Sequence, residues 1–276
     1  MTREDLVRAV RTKRSLLCVG LDTEENMLPE PFRSLHHPVR AFNHAIIEAT
    51  HDLAVAYKLN LAFYEARGTE GWQDLESAVA LINRVGGCFT IADAKRGDIG
   101  NTARKYAEAF FTNLGFDAIT LSPYMGRDSI TPFLGQRGKW AIVLGATSNE
   151  GAEDFQFLKV GENKEPLYAK VIADVARWGT PNDLMFVVGG TRPDVLKAAR
   201  AAAPGHFFLV PGIGAQGGNL NAVLDAAITS DGGVLVNSSR GILQAGNGDD
   251  AVAMARKAAQ TLQREMETAL RRRGVV

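Results

Sequence analysis

Eight short apolar runs, recurring about every 35 residues along a 276-residue chain, constrain the fold more than any other feature. They lie at 15–22 (SLLCVGLD), 54–60 (AVAYKLN), 89–95 (FTIADAK), 118–123 (AITLSP), 141–148 (AIVLGATS), 184–190 (LMFVVGG), 206–211 (HFFLVP) and 232–239 (GGVLVNSS). Runs this continuously apolar suit strands covered on both faces, and therefore a parallel sheet. Helical patterns fill the gaps. Residues 101–114 place Ala103, Tyr106, Ala107, Phe110, Phe111 and Leu114 on one face, with Gly115 at the C-cap position. Pro166 opens a second helix that Gly179 stops, and a last one spans about 249–272 and ends in the solvated run Arg271-Arg272-Arg273. The reading is one α/β domain over 1–276, a single (β/α)8 barrel of the TIM type. The polar stretch 149–165, its longest irregular segment, reads as a lid.

Composition removes other classes. Lys plus Arg and Asp plus Glu both total 31, so no cationic surplus is present to displace counterions from nucleic-acid phosphates. No apolar run approaches the roughly 18 residues of a membrane span, and the first residues lack a signal peptide's apolar stretch. A cytoplasmic protein with no nucleic-acid or membrane partner is expected. Cys18 and Cys88 sit among apolar residues and read as buried thiols. The five histidines, His36, His37, His44, His51 and His206, show no metal-ligand spacing and read as solvated. No metal or cofactor is expected.

A barrel of this kind carries its active site at the C-terminal strand ends. Polar residues gather there: Asp22 after the first strand, Lys58 and Asn60 on the second, Asp93 and Lys95 on the third. Thr147-Ser148 end the fifth, Pro211-Gly212 the seventh and Asn237-Ser238-Ser239-Arg240 the eighth. The densest group is Asp93-Ala94-Lys95-Arg96-Gly97-Asp98. Strand alternation puts Asp93 and Lys95 on one face, and Gly97 is read as the turn that presents Asp98. A core salt bridge explains one pair. Four ionised groups in one place, with Lys58, point instead to acid chemistry. The glycine-rich run 211–218 and Arg240 can surround an anion with backbone N–H groups and a bidentate guanidinium. Residues 212–217 also satisfy G-x-G-x-x-G, but after the seventh strand rather than the first, which argues against a dinucleotide fold.

These residues resemble the orotidine 5′-phosphate decarboxylase family along nearly the whole chain. Asp93-x-Lys95-x-x-Asp98 within FTIADAKRGDIGNT is similar to its diagnostic motif, and PGIGAQGG and NSSRGI resemble its phosphate elements. Length, the Lys58-Leu59-Asn60 context and the segment after TSNEG resemble its longer bacterial (type 2) subfamily. Glu150 stands where many of those relatives carry proline. The resemblance implies metal-free decarboxylation of orotidine 5′-phosphate to UMP in pyrimidine biosynthesis, by a homodimer with its active sites at the interface. Asp22 and Lys58 would hold the ribose hydroxyls, Asp93 would face the substrate carboxylate, and Lys95 would protonate C6. Asp98, Ile99 and Thr102 would reach the neighbouring subunit's site. Ser148 or Thr147 would bond the pyrimidine, Pro211 would pack on it, and Gln216, Ser239 and Arg240 would bind phosphate.

The chemistry is coherent on its own terms. Loss of CO2 leaves an unstabilised carbanion that preorganised cations must meet, and Lys95 between carboxylates is expected to stay protonated as countercharge and acid. The alternatives are a Mg2+-dependent sugar-phosphate decarboxylase or aldolase of the same superfamily, and a non-catalytic phosphate-binding barrel.

Overall fold

The computed structural model describes residues 1–212 and 219–276. Eight parallel strands close into one barrel: β1 (Leu17–Gly20), β2 (Ala56–Asn60), β3 (Phe89–Arg96), β4 (Ala118–Leu121), β5 (Trp140–Ala146), β6 (Leu184–Val188), β7 (Phe207–Val210) and β8 (Val234–Ser238). Each pairs with its sequence neighbours, and β8 returns to β1 through Leu17↔Val236 and Cys18↔Asn237. Each of the eight apolar runs overlaps one strand. Seven of the strands are shorter than their runs, because flanking apolar residues remain buried after the ladder hydrogen bonds stop, and β3 runs one residue further, to Arg96. Both cysteines are buried.

The first helix, Arg3–Lys13, is fixed by a capping box between Thr2 and Asp5 and ends at Arg14 in the left-handed region. The helix Ala251–Arg272 buries Ala255, Ala259, Met266 and Leu270 and packs on the helix Pro38–Thr50. Its terminal cations are partly paired rather than simply solvated, Arg271 with Glu267 and Arg273 with Asp225. The helix expected at 101–114 is α-helical only over Gly100–Ala107. Glu108–Asn113 then widen into a π turn, in which Leu114 N donates to Ala109 O five residues back at 3.0 Å. Gly115, with φ +75°, ends it as expected. Within 149–165, Glu150–Asp154 form a 3₁₀ turn, and Lys159–Val160 pairs with Glu165–Pro166 in a small antiparallel ribbon. Among the described residues, no helix is long and apolar enough to cross a membrane.

His206 departs from its expected solvation. It is buried at the entry to β7, edge-on to the Phe186 ring at 5.5 Å, and both ring nitrogens lack a partner. Phe186 packs against the ring and Arg200 donates to the His206 carbonyl at 2.6 Å, so neighbouring elements enclose it. Burial lowers its pKa to about 4, with Arg200 and Arg3 adding to the effect.

Candidate active site

The strand ends enclose a cavity of about 570 Å³. β1 delivers Asp22 two residues beyond its last paired position, β2 contributes Lys58 and Asn60, and β3 contributes Asp93 and Lys95. The chain leaving β5 supplies Thr147 and Ser148, that leaving β7 supplies Pro211, and that leaving β8 supplies Ser239 and Arg240. Leu144, Val187 and Leu209 form an apolar wall.

Four charges alternate in sign across this cavity. Lys58 Nζ lies 3.0 Å from Asp22 Oδ1 and 3.3 Å from Asp93 Oδ2, and Lys95 Nζ lies 2.7 Å from Asp93 Oδ1. Burial alone would lower the Lys58 pKa, but Asp22 and Asp93 outweigh it and raise that pKa above its ordinary value. Burial likewise pushes the Asp93 carboxyl up, and Lys58 and then Lys95 hold it below its ordinary value. Lys95 is the accessible member, its side chain 49% exposed against 6% for Lys58. Lys58 and Asp93 therefore favour each other's charged forms, and the Lys95 ammonium faces the cavity. Ser239 Oγ donates to Asp22 Oδ2 at 2.8 Å and receives Asn237 Nδ2 at 3.3 Å, joining β8 to the same network.

The fourth charge of this cluster is Asp22, where the sequence reading placed Asp98. Asp98 lies outside the cavity, its Oδ1 accepting from Ile99 N at 2.8 Å, and Ile99 and Thr102 are exposed on the outside. Among the described residues of this chain Lys95 accordingly meets one carboxylate, that of Asp93. Gly97 has a different role from the turn assigned to it. A Cβ there would lie 3.3 Å from Ser122 Cβ, so it allows close approach to the chain leaving β4, and the left-handed residues nearby are Lys95 and Gly100. Alternation is interrupted as well: β3 loses register with β4 between Ala92 and Arg96, and Lys95 has φ +47°. Asp93 and Lys95 still meet, brought together through this irregular backbone.

Thr147 and Ser148 are distinguished by their partners. Thr147 Oγ1 donates to Asn149 Oδ1 at 2.6 Å and accepts Gln156 Nε2 at 2.8 Å, so it holds the 149–165 segment. Ser148 lines the cavity and has no such internal bonds among the described residues. Gln216, and most of the glycine-rich run around it, lies outside the described residues. Two lining or supporting residues had been given no role. Thr120 of β4 donates to Asp93 Oδ1 at 3.0 Å, and Asn237 keeps a buried Oδ1 without a partner. A threonine inside an otherwise apolar strand was the available signal for the first.

Comparison with known proteins points to one family. Residues 15–255 match the model of the orotidine 5′-phosphate decarboxylase / HUMPS family. The chain is similar to orotidine 5′-phosphate decarboxylase of Christiangramia forsetii, 47% identical over 98% of this chain and 99% of the relative. It is also similar to that of Bacteroides fragilis, 45% identical over 98% and 99%. Among solved structures it resembles the OMP decarboxylase of Leishmania donovani, with a TM-score of 0.83, 40% identity, and 98% and 99% of the two chains covered.

Proposed function

The chain belongs to the orotidine 5′-phosphate decarboxylase / HUMPS family, and from that premise we propose a metal-free mechanism in which Lys95 delivers the proton to C6. Its activity is the decarboxylation of orotidine 5′-phosphate in pyrimidine biosynthesis. The observation that carries the mechanism is the position of Lys58. Its ammonium stands between Asp22 and Asp93, where a divalent cation held by those carboxylates would have to sit. Positive charge for the developing carbanion is thus supplied by Lys95 and Lys58, already oriented by the carboxylates. Asp93 stands against the substrate carboxylate, where its repulsion disappears as neutral CO2 leaves. Asp22 and Lys58 hold the ribose hydroxyls, Ser148 bonds the pyrimidine with Pro211 packed on it, and Ser239, Arg240 and Gln216 take the phosphate. Phosphate binding far from C6 supplies energy for orienting the ring and for closing the 149–165 segment, the proposed lid of a single domain.

The working form is a homodimer with shared sites, in which Asp98, Ile99 and Thr102 come from the partner subunit. Two features support it. These three residues lie outside their own cavity, and the loops after β3 and β4 expose apolar Ile99, Tyr124 and Met125. The nucleotide-pathway role of the relatives supports a cytoplasmic location.

The test is loss of orotidine 5′-phosphate absorbance by protein dialysed against EDTA. Undiminished turnover is expected. Activity that vanishes and returns only with Mg2+ would move the chain to the sugar-phosphate branch of the superfamily.

A further inference from the structure

Lys95 has two structural problems that one side chain solves. The first is its backbone. β3 takes four steps from Ala92 to Arg96 while β4 takes two from Ile119 to Leu121, so the extra residues of β3 face no ladder carbonyl. Lys95 sits in this excess, in the left-handed region at φ +47°, where a branched-off side chain is disfavoured and glycine is the usual occupant. Its N–H therefore needs an acceptor from outside the ladder. Thr120 Oγ1, wholly buried on β4, accepts it at 2.9 Å.

The second problem is the orientation of Asp93. Its Oδ1 must face Lys95 while Oδ2 faces Lys58, which leaves little tolerance in the carboxylate plane. The same Thr120 hydroxyl donates to Oδ1 at 3.0 Å. The direction of both bonds is forced. A backbone N–H only donates, so the hydroxyl accepts there, and its single proton goes to a carboxylate that only accepts.

We infer that Thr120 is a positioning residue of the decarboxylation site: its hydroxyl locks the Lys95 backbone and the Asp93 carboxylate to each other, and so sets the point in space from which Lys95 delivers its proton. The inference rests on the proposed role of Lys95. Thr120 does not line the cavity and need not touch substrate. Its effect falls on the transition state, where the ammonium must reach a carbon, and little of it falls on binding of ribose and phosphate.

The experiment compares wild type with Thr120→Val, which keeps shape and removes both bonds, and Thr120→Ser, which keeps the hydroxyl. Lys95→Ala is the inactive reference. Decarboxylation of orotidine 5′-phosphate, UMP affinity by calorimetry and thermal midpoints are measured for each. Thr120→Val is expected to lose roughly 10- to 100-fold in kcat, with KM and UMP Kd changed less than about threefold. Thr120→Ser should recover to within about threefold of wild type, a rescue that loss of packing alone would not give. If Thr120→Val does not fold, Thr120→Ala is read in the same way. Near-normal kcat in the hydroxyl-free variant overturns the inference, as does a loss confined to KM or one that serine fails to rescue. A wild-type protein without decarboxylase activity, or an active Lys95→Ala, would instead overturn the reading on which it rests.

Discussion

Lys58, on the second strand, lies 3.0 Å from Oδ1 of Asp22, which follows the first, and this contact links two neighbouring strands at their C-terminal ends, where Gly20 pairs with Lys58. Both groups are largely removed from water, and a second carboxylate, Asp93, shares the same ammonium at 3.3 Å. The energetic consequence is asymmetric. Removing the cation leaves two carboxylates facing each other in a poorly solvated space, whereas the intact set is neutralised.

Lys58→Met is therefore expected to destabilise the protein by roughly 3–5 kcal/mol at neutral pH, the range for breaking a buried pair. Urea denaturation checks this. The deficit should shrink as pH falls, because one carboxyl can then take a proton in place of the lost ammonium. Adding Asp22→Asn should recover part of it. A loss under about 1 kcal/mol would mean that water reaches the pair as it does at a surface.

His206 gives a prediction of the opposite kind, far from the site. Its pKa is lowered to about 4 by burial, so the fold favours the neutral ring. The unfolded chain binds the proton near the ordinary histidine value of about 6.5. The stability contributed by the neutral ring is present above that pH and is lost progressively as pH falls toward 4. His206→Phe keeps an aromatic ring against Phe186 and removes both unpartnered nitrogens. Its stability should fall less than that of wild type between those two pH values, measured by denaturant midpoints. Parallel curves for the two proteins would remove His206 from the acid response.

The same residue marks where sequence legibility ended. Eight strands were readable because each is a nearly unbroken apolar run, and the strand-end rule then placed Asp22, Lys58, Asp93, Lys95, Ser148, Pro211, Ser239 and Arg240 around one cavity. Alternation predicted that Asp93 and Lys95 share a face, and they do meet, yet across a register shift that no local pattern reveals. Gly97 looked like a turn residue because glycine permits both positive φ and close approach, and only the neighbouring Ser122 distinguishes the two. Thr120 and His206 were hidden for one reason. Each is a polar residue whose partner or enclosure is supplied by another strand or helix, which spacing along one segment does not report.

Lys95→Ala and Arg240→Ala are expected to separate chemistry from binding. Loss of Lys95, the proposed proton donor, should reduce kcat by about 10²- to 10⁴-fold or more while UMP binds within roughly tenfold of wild type. Arg240 stands at the cavity rim, on the chain leaving β8. Its removal should weaken UMP by roughly 10- to 100-fold and leave uridine affinity almost unchanged, because the lost bonds are charge-assisted contacts to phosphate. Part of the loss should appear in kcat, since remote binding energy orients the ring. Calorimetry with both ligands, beside turnover, distinguishes the roles; an active Lys95→Ala would remove Lys95 as the acid.

The proposed dimer with shared sites makes a prediction that no single-chain site can imitate. Asp98, Ile99 and Thr102 stand outside their own cavity, Asp98 turned back onto the Ile99 amide, while Lys95 exposes its ammonium to the cavity of its own barrel. If Asp98 completes a site, it completes the partner's. Two variants each expected to be inactive, Asp98→Asn and Lys95→Ala, are mixed, dissociated and re-formed. In each mixed dimer one site collects both substitutions, and the other pairs native Lys95 from one subunit with native Asp98 from its partner. Random reassociation places about half of all dimers in the mixed form, so about a quarter of all sites should regain activity under two-fold symmetry. The recovered rate should follow the fraction of heterodimer rather than total protein, which separates complementation from contaminating wild type. A mixture shown to contain heterodimers but still inactive would return Asp98 to its own subunit, or to no site at all.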